Sequence, residues 1–185
     1  AIHNPSFIPA GPEFLGNQSA DLIKHAISEG KRLKMTVGIV ASSGWNAGGS
    51  WVTPDWASKN LFYSKVDVEG PRILSIDLPF PKFPEGCPMK DSVTPVFYRD
   101  VSVLAFPFSL EKTIVDVSRV LNVTSFFKDG KLEWKVPVGK WTILRFVCSN
   151  NGQQLIVPSP NSNGLFIDFF DPQATKRHLK YFMDR

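Results

Sequence analysis

Leu61-Phe62-Tyr63-Ser64-Lys65-Val66-Asp67-Val68-Glu69-Gly70 alternates apolar and polar residues towards its end, and Ile73-Leu74-Ser75-Ile76-Asp77-Leu78 repeats the pattern. A period of two puts successive side chains on opposite faces of an extended backbone, so both stretches read as half-buried strands. Further strands are expected over Tyr98–Phe106, Lys112–Val117, Lys131–Val136 and Trp141–Cys148, with turns at Asp129-Gly130 and Val138-Gly139-Lys140. Short strands with frequent turns point to an antiparallel, sandwich-like arrangement. Between them, Pro79 to Pro95 is too proline-broken for a central strand and reads as a surface loop.

Before residue 61 the period is helical. Pro5, Pro9, Gly11 and Pro12 exclude regular structure near the start. Ser19 is the candidate cap of a helix to about Leu33, with Leu22, Ile23, Ala26, Ile27, Gly30 and Leu33 on one face. Met35-Thr36-Val37-Gly38-Ile39-Val40-Ala41 is short, apolar and β-branched, and predicts a buried parallel strand. The long loop Ser42 to Pro54 follows, and Thr53 could cap a short helix begun by Pro54. At the other end, a strand is expected over Gly164–Phe170. A helix is expected from Pro172, capped by Asp171, with Leu179, Phe182 and Met183 on its apolar face. The fold class expected is therefore α+β: partial (β/α)-barrel elements at both ends (residues 1–60 and 151–185), with an antiparallel β-sandwich-like insertion over residues 61–150.

The 185 residues include 43% hydrophobic and 21% charged, with a net charge of +4, an ordinary globular composition. Basic residues are scattered among acidic ones rather than gathered in a stripe, so nucleic acid is not an expected partner. No run approaches the ~20 apolar residues of a membrane span. Cys87 and Cys148 read as free thiols packed like small hydrophobes, with one disulfide as the alternative. The three histidines, His3, His25 and His178, form no metal-ligand spacing.

The residues that carry chemistry lie in the loop. Sugars present apolar C–H faces between hydroxyls, so their sites combine flat aromatic rings with amide and carboxylate partners. Trp45, Asn46 and Trp51 fit, among glycines that permit close backbone approach. The competing reading is that one or both tryptophans plug the end of a barrel. Asn4, beside His3 at the entry to a proline-rich loop, and Asp168, within an apolar strand, complete the candidate substrate-binding set. Glycoside cleavage needs two opposed carboxyl groups. Glu13 and Asp168 are local carboxylates, but neither is assigned a catalytic role: a solvated surface group and a turn hydrogen bond explain them equally well.

Five blocks in order resemble the family-106 glycoside hydrolases, the bacterial α-L-rhamnosidases. They are Pro12-Glu13-Phe14-Leu15 with the helix ending Glu29-Gly30-Lys31-Arg32-Leu33; Gly44-Trp45-Asn46-Ala47-Gly48-Gly49-Ser50-Trp51-Val52-Thr53-Pro54; Tyr98-Arg99-Asp100-Val101-Ser102-Val103-Leu104-Ala105-Phe106-Pro107; Gly139 to Phe146; and Pro158-Ser159-Pro160-Asn161 with Gly164-Leu165 and Asp168. The resemblance implies an interrupted (β/α) barrel with a β-rich insertion, inverting hydrolysis of α-L-rhamnosides by two glutamates, and calcium in the full-length enzyme. It places both glutamates after residue 185, so this chain is expected to be an internal segment of the catalytic region, inactive alone, with no catalytic residue and no cofactor of its own. The implied partners are carbohydrate and the remainder of the parent chain; the implied location is periplasmic or secreted. The chain departs from the family pattern at Phe169-Phe170, where a lysine is common, and at Ser149 to Gln154, so glycoside is the broader expectation and rhamnoside the narrower. The rival from another class is a non-catalytic carbohydrate-binding or interaction module.

Overall fold

The computed structural model describes residues 11–109, 116–159 and 161–184. The chain divides into two compact units, one of Ala1–Ser58 with Gly152–Arg185, the other of Lys59–Asn151. Every ladder among the described residues is antiparallel.

The first unit contains helix α1 (Asn17–Arg32), strand β1 (Gly48–Gly49), strand β7 (Leu165–Phe166) and helix α2 (Pro172–Met183). Helix α2 starts as its sequence dictates: Asp171 accepts a hydrogen bond from the Gln173 N–H at 2.8 Å, and Pro172 fills the first helical position, where no N–H is needed. Its inner face differs from the expectation. Ala174 and His178 are buried, while Leu179 and Met183 are exposed. Helix α1 begins at Asn17 after Gly16 with no side-chain cap, so Ser19 lies inside the first turn rather than capping it. Of its expected apolar face only Gly30 is buried, with Leu22 and Ile27 open.

Met35–Ala41 departs most from the sequence reading. It forms no ladder, and Met35, Val37, Ile39 and Val40 are exposed. A parallel strand is stable only when neighbours pair along its backbone and cover its faces; among the described residues only its ends are held, the Met35 N–H by the Gly30 carbonyl and the Ala41 carbonyl by His178. The expected helix after Thr53 is a single turn over Pro54–Trp56, closed by the Trp56 N–H on the Thr53 carbonyl at 3.0 Å. The strand expected over Gly164–Phe170 shortens to β7, extended by a bridge between Ala57 and Ile167.

The second unit is a five-stranded sheet in the order β2-β6-β3-β4, with β5 also paired to β6. Its strands are β2 (Lys59–Asp77), β3 (Tyr98–Pro107), β4 (Leu121–Asn122), β5 (Phe127–Lys128) and β6 (Lys131–Asn150). The two alternating stretches that open the sequence reading fuse into β2. Likewise Lys131–Val136 and Trp141–Cys148 become one strand, and Val138-Gly139-Lys140 is not a chain reversal. Gly70 pairs with Gly139 and Arg72 with Val136, so Pro71 faces two residues, Pro137 and Val138. Neither proline can donate to a ladder, and the extra residue is absorbed as a bulge that bends the ribbon. Leu132, Trp134 and Val136 from one side of the bulge share a buried cluster with Val103, Ala105 and Ile143 from the other. The result is sandwich-like, built by bending one ribbon. Asp129 and Gly130, both at positive φ, make the turn between β5 and β6 that their sequence announces. The strand expected over Lys112–Val117 lies mostly outside the described residues. Both cysteines are free thiols, and burial pushes that of Cys87 up from its ordinary pKa.

Candidate functional site

The loop from Ser42 to Gly49 is held largely through its backbone. The Trp45 N–H donates to the Ile156 carbonyl at 3.1 Å, the Ser159 N–H to the Ser43 carbonyl at 2.9 Å, and the Ile167 N–H to the Ala47 carbonyl at 3.1 Å. Gly48 and Gly49 pair with Phe166 and Leu165. The Ser42 hydroxyl closes the loop on itself through the Gly44 and Asn46 carbonyls. The glycines serve this approach: a Cβ at Gly44 would sit 2.7 Å from the Ile156 oxygen, and one at Gly48 or Gly164 would overlap the facing backbone. Replacing Gly164 with alanine should therefore force β1 and β7 apart and cost about 1–3 kcal/mol by overpacking, read as a lowered urea midpoint. Gly130→Ala is no control, because its positive φ disfavours alanine. Gly11, with open space around it and no positive φ, is the neutral comparison.

This pinned loop presents Trp45, whose residue surface is 75% exposed. Asn46, next to it, is half-buried; its carboxamide oxygen is shielded from solvent and meets no donor among the described residues. Trp51 is placed differently. Its ring stacks on Tyr181 at 4.2 Å and on Phe14 at 6.0 Å, and meets Phe182 edge-on at 5.8 Å. Its indole N–H donates to His178 Nδ1 at 3.2 Å, while His178 Nε2 reaches the Ala41 carbonyl at 2.8 Å. The second contact requires a proton on Nε2, which leaves Nδ1 free to accept the first. Trp51 thus ties the loop to α2, as a plug would. It also forms one wall of a pocket of about 480 Å³, where the Arg177 guanidinium lies over Trp56 at 4.1 Å.

Asp168 accepts a hydrogen bond from the Phe170 N–H at 3.1 Å, and its own N–H donates to the Trp56 carbonyl at 2.8 Å. The turn it stabilises leaves Phe169 and Phe170 exposed, the latter 99%. Asn4 lies outside the described residues. Among the described residues no three His, Cys, Asp or Glu side chains gather as a metal site would require, and no step is derived through the calcium that the resemblance implies.

A second concentration of functional groups, which sequence reasoning missed, lies in the β-rich unit. Arg145, on β6, points inward between the fully buried Ile143 and Val147. Its Nε and Nη2 donate to the two Asp100 oxygens at 2.7 and 3.1 Å, and its Nη1 donates to the Leu78 carbonyl at 2.7 Å. Phe80 and Phe127 meet the guanidinium at 4.3 and 5.0 Å. The available signal was parity: within Ile143-Leu144-Arg145-Phe146-Val147, the arginine falls on the inward positions. Beside this pair runs an open groove of about 960 Å³ under the proline-rich loop.

Comparison with known proteins places these observations in a family. The chain is 26% identical over 198 aligned positions to a protein of Formosa agariphila named "Putative beta-glucuronidase", a match covering 90% of this chain and 16% of that protein. Its fold superposes on a rhamnosidase structure from Novosphingobium sp. PP1Y with a TM-score of 0.70 at 15% identity, over 99% of this chain and 32% of the other. The chain therefore spans about a sixth and about a third of these two proteins. The model of the α-L-rhamnosidase family matches residues 1–117 and 92–185, which together span the whole chain. With that match over its full length, the chain belongs to glycoside hydrolase family 106, the α-L-rhamnosidase family.

Proposed function

We propose that this chain is a segment of the catalytic region of a larger secreted or periplasmic glycoside hydrolase acting on α-L-rhamnosides, and that it supplies part of the sugar cleft. The observation that carries the reading is Trp45: an exposed indole on a loop whose backbone is pinned at several points. A ring held this way can stack on a sugar face without a large ordering cost. Asn46 adds an acceptor in want of a donor, which a sugar hydroxyl or a further segment of the enzyme would supply. Asp168 contributes to the polar side of the cleft, Asn4 is retained as a candidate from the sequence alone, and Trp51 contributes a wall while anchoring the loop to α2. In this arrangement Met35–Ala41 is a barrel strand whose neighbours belong to the rest of the enzyme. These groups bind and orient. The general acid and base come from elsewhere in the longer protein.

Two measurements test the reading together. The 185-residue chain should release no chromophore from an aryl α-L-rhamnoside above background, whereas the longer enzyme should turn it over. In that enzyme, Trp45→Ala should lower kcat/KM by about tenfold or more, the loss expected when one stacked ring is removed. Turnover by the isolated chain would place acid and base among its own carboxylates. Unchanged kinetics in Trp45→Ala would remove the residue from the cleft.

A further inference from the structure

The groove in the β-rich unit has the makings of a binding site that the cleft does not use. Its walls are aromatic: Phe80 meets Tyr98 edge-to-face at 4.9 Å and lies 6.2 Å from Phe83, and Tyr98 is 40% exposed. Its polar groups are carboxylates. Asp100 is held by Arg145 yet keeps 31% of its side chain open, while Asp77 and Asp129 on the rim form no ion pair among the described residues.

The loop over the groove is ordered before anything binds. The Asp91 carboxylate accepts the Val93 and Thr94 N–H groups at 2.8 Å each, which holds its pKa below the usual carboxylate range. Lys90 and Val96 donate to the Thr94 and Pro88 carbonyls. Beneath, the Ser64 hydroxyl donates to the Pro79 carbonyl at 2.7 Å, and the Leu78 N–H to the Gly130 carbonyl at 2.9 Å. Prolines at 79, 81, 84, 88 and 95 stiffen the same stretch.

We propose that this groove is a second carbohydrate-binding site, taking an uncharged glycan whose C–H faces lie against Tyr98 and Phe83 and whose hydroxyls donate to Asp77, Asp100 and Asp129. Preorganised rings and open carboxylates are what a neutral sugar needs. The lining carboxylates disfavour an acidic one: Arg145 is committed to Asp100, and Lys82 is the other cation of the groove lining, with Lys131 opposite Asp77 on the neighbouring strand. The proposal rests on the carbohydrate-processing role proposed above, and deepens it by giving the β-rich unit a substrate-holding task.

Titration of the 185-residue chain with an α-L-rhamnosyl oligosaccharide, followed by calorimetry and by NMR shifts, tests it, with D-glucuronate as the acidic probe. Saturable oligosaccharide binding is expected. Tyr98→Ala should weaken it about tenfold through loss of ring stacking, while Tyr98→Phe should retain it. NMR shifts of the groove residues Asp77 and Tyr98 read this site apart from the cleft, and Glu133→Ala, exposed and outside the groove lining, should leave them in place. A melting curve accompanies each variant; if Tyr98→Ala fails to fold, the exposed Asp77→Asn carries the test and should also weaken binding. Binding that survives both Tyr98→Ala and Asp77→Asn, preference for glucuronate, or no saturable binding would overturn the proposal. Binding lost in Trp45→Ala but intact in Tyr98→Ala would overturn the groove and leave the cleft standing. Failure of the cleft itself shows separately, in the kinetics of the longer enzyme.

Discussion

Asp100→Ala should destabilise the β-rich unit by about 3 kcal/mol, at the low end of the range for breaking a buried ion pair. The cost comes from what is left behind. Arg145 has 4% of its side chain exposed, and without Asp100 two of its three hydrogen-bonding nitrogens would face a protein interior with no anion. Asp100 itself is 31% exposed, so water can enter and partly compensate, which places the cost at the low end. A fall in Tm of about 12–24 °C is expected for a unit of this size. Two comparisons show that the effect belongs to the stranded charge. The exposed pair Lys131–Glu133, at 3.8 Å and 50% and 70% open, should lose under about 1 kcal/mol on Glu133→Ala. Removing both charges, as Asp100→Leu with Arg145→Met, should be milder than Asp100→Ala alone, because no buried charge is orphaned. If Asp100→Ala melts like the parent, Arg145 is not held in the way described.

Hydrogen exchange on the 185-residue chain should separate the two units even more widely. Amides of β6 are expected to show protection on the order of 10³-fold or more, since exchange there requires opening the sheet from its centre. Strand β6 pairs with β2, β3 and β5, and carries Leu132, Ile143 and Val147 at 0% exposure. Amides of Met35 to Ala41 should exchange near the unprotected rate apart from Met35, whose N–H donates to the Gly30 carbonyl at 2.8 Å. In the longer enzyme the same amides should slow sharply if barrel strands flank them, as proposed above. Equal rates in both proteins would mean that this apolar segment is never paired, and the barrel reading of Met35–Ala41 would fall.

Local rules made several parts legible from the sequence. Asp171-Pro172 announces a helix start because a carboxylate and a missing N–H satisfy the same orphaned end. Asp129-Gly130 announces a tight turn because both positions tolerate positive φ. The alternation beginning near residue 61 marks β2, since a period of two has few competing explanations. Turn residues misled where they had a second use: Val138-Gly139-Lys140 reads as a reversal, yet inside a paired ribbon Gly139 sits at the edge of a bulge. The candidate site was legible only in part. The aromatic, glycine-rich loop could be picked out. Which tryptophan is exposed depends on α2, more than 120 residues away, delivering His178 and Tyr181 to the Trp51 ring.

The sequence by itself determined the family, through ordered blocks of residues, and the local elements whose caps, turns and periods are set by near neighbours. Tertiary structure alone decided what required distant partners. It placed Arg145 against Asp100 across 45 residues and opened a groove beneath the proline-rich loop. It left Met35–Ala41 without a ladder, though its composition is that of a buried strand. The physical reason is common to all three. Propensity and capping are energies of a few tenths to about one kcal/mol spent over a few residues, whereas burial and pairing are won only when remote segments arrive, and no local pattern encodes their arrival.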